Sequence, residues 1–123
     1  VTVGIRQEDP SRIWECCCPI TPDEVAQLVQ HLDVNVLIQD CDCRVFPIDQ
    51  FIKAGAKLYL MLDPVHIVLG IKETPLNELV TSPVSAPGLC SGPSTPRTHL
   101  MFSHTMKGQP YNMELLARFL GSH

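Results

Sequence analysis

A chain of 123 residues, 45% of them hydrophobic, is long enough for one domain with its own core. A formal net charge of −4 with no basic run excludes an electrostatic nucleic-acid surface. No apolar stretch approaches the ~20 residues of a membrane-spanning helix, and no signal-peptide pattern opens the chain.

The elements follow in chain order. Thr2 to Ile5 reads as a first strand, short and β-rich, ending at Arg6 before the polar turn Glu8-Asp9-Pro10. Thr21-Pro22-Asp23-Glu24 is a helix start: Thr21 caps, Pro22 suits the first position and Glu24 completes a capping box. Val25, Leu28, Val29 and Leu32 then recur at i, i+3, i+4 and i+7, which predicts one buried face, and Asp33 ends the helix. A second strand covers residues 34–38. A short helix over 48–54 is closed by Gly55, which can turn left-handed past a helix end. Residues 57–62 read as a third strand stopped by Asp63-Pro64, and 65–71 as a fourth, nearly continuous in apolar and β-branched residues. Leu76 to Val80 reads as a helical turn. Residues 81–98, rich in Thr, Ser, Pro, Gly and Ala, read as a flexible insertion. Residues 100–103 form the last strand, and Pro110 opens a final helix whose Met113, Leu116 and Leu120 share a face, with Phe119 beside it. Alternating strands and helices imply an α/β fold: a doubly wound, mostly parallel sheet, Rossmann-like or flavodoxin-like, flanked by helices.

Six cysteines do not make a disulfide framework here. Cys16, Cys17 and Cys18 are contiguous, Cys41 and Cys43 are one residue apart, and Cys90 lies in a polar loop. Adjacent cysteines bridge only with strain, and paired zinc-ligand spacing is missing, so reduced intracellular thiols and no metal are expected.

Two segments carry the chemistry. His66-Ile67-Val68-Leu69-Gly70-Ile71-Lys72-Glu73-Thr74-Pro75 and His99-Leu100-Met101-Phe102-Ser103-His104 each run an apolar strand into a loop at a titratable residue. Loops at the carboxyl ends of parallel strands line the ligand crevice of an open α/β sheet. Lys72 and His104 would thus enter one pocket as an amine and an imidazole, a pair suited to proton transfer. A cationic Lys72 beside His104 should lower the pKa of each.

The wording of these segments is specific. Gly70-Ile71-Lys72-Glu73-Thr74-Pro75 resembles the G-(V/I)-K-x-x-P signature of a domain shared by alanine dehydrogenase, pyridine nucleotide transhydrogenase and lysine-forming saccharopine dehydrogenase. Phe102-Ser103-His104-Thr105-Met106-Lys107 resembles the F-S-H-T-x-K segment of the lysine–ketoglutarate reductase branch. Val36-Leu37-Ile38-Gln39, Phe51-Ile52-Lys53-Ala54-Gly55-Ala56 and Asn112-Met113-Glu114-Leu115-Leu116 fit that branch in the same order.

The resemblance implies a single N-terminal, substrate-side domain over residues 1–123, a fragment of a larger enzyme that forms saccharopine from lysine and 2-oxoglutarate. It implies Lys72 and His104 as the acid–base pair, Lys107 as a second substrate lysine, and Glu73 as the group that orients Lys72. NAD or NADP would be bound mainly by a separate domain, since no G-x-G-x-x-G follows any strand here and the chain alone should not turn over. Partners are then lysine, 2-oxoglutarate, saccharopine and that nucleotide-binding domain, with neither nucleic acid nor membrane. The location is intracellular, cytoplasmic or mitochondrial, and the chain begins so close to a strand that a targeting peptide is expected to have been removed or never included. An uncovered apolar edge near the cleft is expected where the second domain packs.

One stretch departs from the family. Glu15-Cys16-Cys17-Cys18-Pro19-Ile20-Thr21-Pro22 stands where the family reads approximately E-R-R-A-P-L-T-P. Cys17 takes the place of an Arg that grips the substrate carboxylate, Cys16 that of its neighbour, and Cys43 also stands where the branch tends to carry Arg. A thiol has neither guanidinium's fixed charge nor its two-pronged donor geometry, so carboxylate binding should weaken. A truncated or degenerate non-catalytic domain, or another member of the superfamily, is the alternative.

Overall fold

The computed structural model describes residues 1–84, 95–106 and 108–122. Five strands and three helices follow in the order β1 (Thr2–Ile5), α1 (Pro22–Leu32), β2 (Asn35–Ile38), α2 (Ile48–Lys53), β3 (Lys57–Leu58), β4 (Ile67–Lys72), β5 (Thr98–Phe102) and α3 (Pro110–Leu120). The strands form one sheet in the order β3-β2-β1-β4-β5, every pairing parallel. The α/β sheet flanked by helices is therefore present, and the strand order reverses between β1 and β4.

α1 begins as its sequence dictates. The Thr21 side chain accepts from the Glu24 N–H at 3.3 Å, while the Thr21 N–H donates to the Glu24 carboxylate at 2.7 Å. The helix ends at Asp33 in a left-handed conformation, with the Val34 N–H donating to the Leu28 carbonyl. That closure tucks Val34 beside Leu28 against the core and leaves Leu32, expected inside, exposed. On one face of the sheet, Ile5, Val36 and Ile38 pack with Val25 of α1 and with Phe51 and Ala56 of the α2 region. Gly55 takes φ +106° past α2, the left-handed turn its sequence position predicts.

The other face has a smaller core of Leu37, Leu62, Val65 and Val68. Here Gly4 is indispensable, because a Cβ would meet the two Val65 methyls at 2.7 and 2.8 Å. α3 covers the β5 end of this face: the Phe119 ring stands edge-on to His99, centroids 5.0 Å apart. The buried residues of α3 are Asn112 and Leu115, whereas Leu120 is exposed. The expected face centred on Met113, Leu116 and Leu120 is thus rotated, because Asn112 donates to the Ser103 carbonyl at 2.6 Å and fixes the helix register.

Two elements are shorter than their patterns predict. β3 spans two residues, not six, because residues 59–66 must cross to β4 on the far side of β1. Arg97 fastens that crossing, donating to the carbonyls of Leu62, Asp63 and Val65. The stretch from Leu76 closes one turn, through the Glu78 N–H and the Pro75 carbonyl, as expected but over fewer residues. β5 begins at Thr98, earlier than expected. Of the segment 81–98, residues 85–94 lie outside the described residues; its two flanks pair through an antiparallel bridge between Val84 and Thr95.

Leu100 and Phe102 of β5 are exposed. The register Ile5–Leu69–Leu100 places Leu100 on the face that α1 and α2 cover farther in. Among the described residues no helix covers this apolar edge.

Candidate functional site

The carboxyl end of β4 is where the site is built. Between β4 and β5 the register slips: Leu69 faces Leu100, but Lys72 faces Phe102, so β4 carries one extra residue. The bulge turns two β4 amides away from the ladder. Glu8 receives both, the Ile71 N–H at 2.8 Å and the Lys72 N–H at 3.2 Å. Arg6 donates to the Lys72 carbonyl at 2.9 Å and pairs with Glu8 at 3.1 Å. Arg6 and Glu8 are 3% and 4% exposed, so this buried pair costs desolvation unless every bond is made. Gly70 leaves room for it: a Cβ there would lie 2.9 Å from Arg6 Nε.

Lys72 therefore lies in the last position of β4, held by its backbone, and not in the following loop. Its Nζ approaches the Glu15 carboxylate at 3.8 Å. Glu73, expected to orient Lys72, pairs with Arg12 and faces the His104 imidazole. Its Oε1 accepts from Arg12 Nη2 at 2.5 Å, and its Oε2 lies 3.5 Å from His104 Nδ1. Oε2 is buried and has no shorter partner. Burial pushes the Glu73 carboxyl up, but the Arg12 hydrogen bond, its own backbone, the Arg12 charge and His104 together hold it below its ordinary value. The same contact raises Arg12.

His104 stands just beyond β5 with φ 54°, a left-handed conformation costly for a residue with a Cβ. Asn112 steadies the approach through the Ser103 carbonyl, and the Ser103 and Thr105 hydroxyls meet at 3.0 Å. The ring is half exposed while Glu73 is 14% exposed. A proton on Nδ1 would point at Glu73, leaving Nε2 as an acceptor toward solvent. The structure thus sets a carboxylate against each, Glu15 by Lys72 and Glu73 by His104.

Cys17 is exposed beside Glu15. Hydrogen bonding to the Glu15 side chain and its charge push the thiol up, with Lys72 pulling weakly the other way. The thiol is neutral at neutral pH and supplies no charge for a carboxylate. Among the described residues, Arg6, Arg12 and Lys72 each already face a carboxylate. Lys107 lies outside the described residues.

Among the described residues, those after β1 do not suit a dinucleotide's pyrophosphate. The loop after β1 sets the Glu8 carboxylate there, and the α1 amino terminus is closed by its Thr21–Glu24 box, with Asp23 adding negative charge.

Sequence reasoning missed Arg12, Arg6, Glu8 and Asn112. The only available signal was their place: three lie in or beside the loop after β1, and Asn112 is a polar residue within an apolar helix face.

No family model matches the chain. Alpha-aminoadipic semialdehyde synthase, mitochondrial, of Bos taurus is 30% identical over 118 residues, which is 96% of this chain and 11% of that protein. The same-named proteins of Rattus norvegicus and Mus musculus are 28% identical over the same extent. Over nearly its whole length this chain is thus similar to one segment of these proteins, in line with the resemblance read from its motifs. It spans 11% of the length of these curated relatives. A transhydrogenase from Sinorhizobium meliloti shares the fold, with a TM-score of 0.52 and 21% identity over 63% of this chain and 24% of that one. No helix among the described residues is long and apolar enough to cross a membrane.

Proposed function

We propose that the chain is the substrate-side domain of a lysine–ketoglutarate reductase, forming saccharopine from lysine and 2-oxoglutarate. The supporting observation is the Glu73–His104 dyad: a buried carboxylate, fixed by Arg12, that faces one nitrogen of a half-exposed imidazole. Such an imidazole accepts a proton at Nε2, and Glu73 steadies the cation formed. In this reading His104 takes a proton from the lysine ε-ammonium, which frees the amine to attack the ketone of 2-oxoglutarate. Lys72 Nζ gives a proton to the oxygen that leaves as water when the imine forms. Lys107 is a further substrate contact by family resemblance. The reduction of the imine belongs to a nicotinamide cofactor, NAD or NADP, on a domain outside this chain, and the intracellular site is the mitochondrion, as for the named relatives.

A second reading has its own observation. Cys17 offers a neutral thiol where the family has Arg, and the described cations of the site are already engaged. The natural chain would then be a disabled, non-catalytic domain.

Calorimetric titration with 2-oxoglutarate and with saccharopine, beside a Cys17→Arg variant, tests both. The substrate-side reading expects the variant to bind at least about tenfold more tightly, since a guanidinium supplies paired donors and fixed charge. Binding by the variant alone identifies a disabled natural chain. No binding by either, with both folded, would overturn carboxylate recognition at this position.

A further inference from the structure

The loop after β2 brings two thiols together within one turn. The Arg44 N–H donates to the Cys41 carbonyl at 3.2 Å, and the Cys41 N–H is held by the Asp40 carboxylate at 2.9 Å. This turn sets the Sγ atoms of Cys41 and Cys43 3.2 Å apart, both side chains half-buried. A disulfide requires about 2.05 Å between sulfurs, so small side-chain rotations close the gap. A cavity bounded by Gln7, Glu8, Pro10, Ile13 and Asp40 opens onto the pair and admits a small reagent.

We propose that Cys41 and Cys43 form a redox-active dithiol, a modification site that closes to an intrachain disulfide by exchange with a small disulfide of the glutathione class. The Cys41 thiolate attacks one sulfur of oxidised glutathione; the S–S bond breaks, and one glutathione leaves as its thiolate and takes up a proton. Cys43 then loses its proton to solvent and attacks the Cys41 sulfur of the mixed disulfide, expelling the second glutathione. Two protein thiols are oxidised, one small disulfide is reduced to two thiols, and no other oxidant is needed.

The contact between the thiols also sets the order of attack. Hydrogen bonding to Cys41, with burial, pushes the Cys43 thiol up to about 11, so Cys43 keeps its proton while Cys41 attacks first. A bridge across one intervening residue is strained, which makes it easily reduced and therefore reversible. The consequence reaches the site described above without depending on its function. Cys43 Sγ lies 3.5 Å from the Glu15 carbonyl, and closure withdraws that contact from the residue whose carboxylate faces Lys72.

The test exposes the reduced full chain to oxidised glutathione, blocks remaining thiols with iodoacetamide and maps peptides by mass spectrometry. The peptide carrying Cys41 and Cys43 should lose the mass of two hydrogen atoms. Its alkylation should fall roughly tenfold and return with dithiothreitol. Cys43→Ser should instead retain a glutathionyl adduct on Cys41, because the second attack is gone. Alkylation of both residues at the level of the untreated chain would overturn the proposal, as would bridges that run mainly to Cys16 or Cys17. If Cys43→Ser fails to fold, Cys41→Ser serves, and a full adduct on Cys43 there would refute the order of attack.

Discussion

Arg6 and Glu8 form a buried ion pair at 3.1 Å whose remaining bonds, one to the Gln7 carbonyl apart, go to the backbone of β4. Glu8 takes the Ile71 and Lys72 amides, and Arg6 takes the Lys72 carbonyl. The pair thus ties the end of β1 to the residue that presents the site's amine. Glu8→Ala would strand a buried guanidinium and two amides, and we expect a loss of ~3–5 kcal/mol in urea unfolding. Glu8→Gln, which keeps one acceptor, should cost less. A change in Glu8→Ala within ordinary surface range, about 0.5 kcal/mol, would contradict this account.

Gly70→Ala probes the same clamp from the other side. The added Cβ would sit 2.9 Å from Arg6 Nε and 3.1 Å from its Nη2. Overpacking against a fixed guanidinium should destabilise by about 1–3 kcal/mol, read as a lower denaturation midpoint with an unchanged slope. An unchanged midpoint would mean that Arg6 moves freely, contrary to its three hydrogen bonds to neighbouring groups.

Stability should also fall with pH through His99. Burial pushes this imidazole below its ordinary 6.5; the Val80 carbonyl opposes that, and the charges of Arg97 and Arg6 add to it. The folded protein therefore holds the proton less tightly than the unfolded chain. Stability is full above the ordinary value and is lost as pH falls from 6.5 toward the lower folded-state value. His99→Gln should flatten this limb of the stability–pH curve. Glu73, also lowered, acts in the same direction at lower pH, below its ordinary 4.5. Glu73→Gln should flatten only that second limb, so unfolding curves at several pH values separate the two.

Much of the chain was legible because its signals are local. The Thr21–Glu24 box, the Pro22 start and the Asp33 stop are written in neighbouring residues, and α1 has those bounds. The apolar run read at 65–71 became β4 because a buried parallel strand needs only continuous apolar residues, while the run read at 100–103 lies in β5, an edge strand that starts two residues earlier and stays partly exposed. Faces were less legible. Leu32 and Leu120 have the right helical spacing yet are exposed, since a helix end is covered only where another element reaches it.

The sequence by itself determined the alternation of elements, the family wording around Lys72 and His104, and the substitution of Cys17 for Arg. Only tertiary structure decided which carboxylate meets which cation. Glu73, next to Lys72 in sequence, turns to Arg12 and His104, while Glu15, far away in sequence, takes Lys72. The physical reason is the strand itself: successive side chains leave it in opposite directions, so chain neighbours part and the loop after β1 supplies their partners.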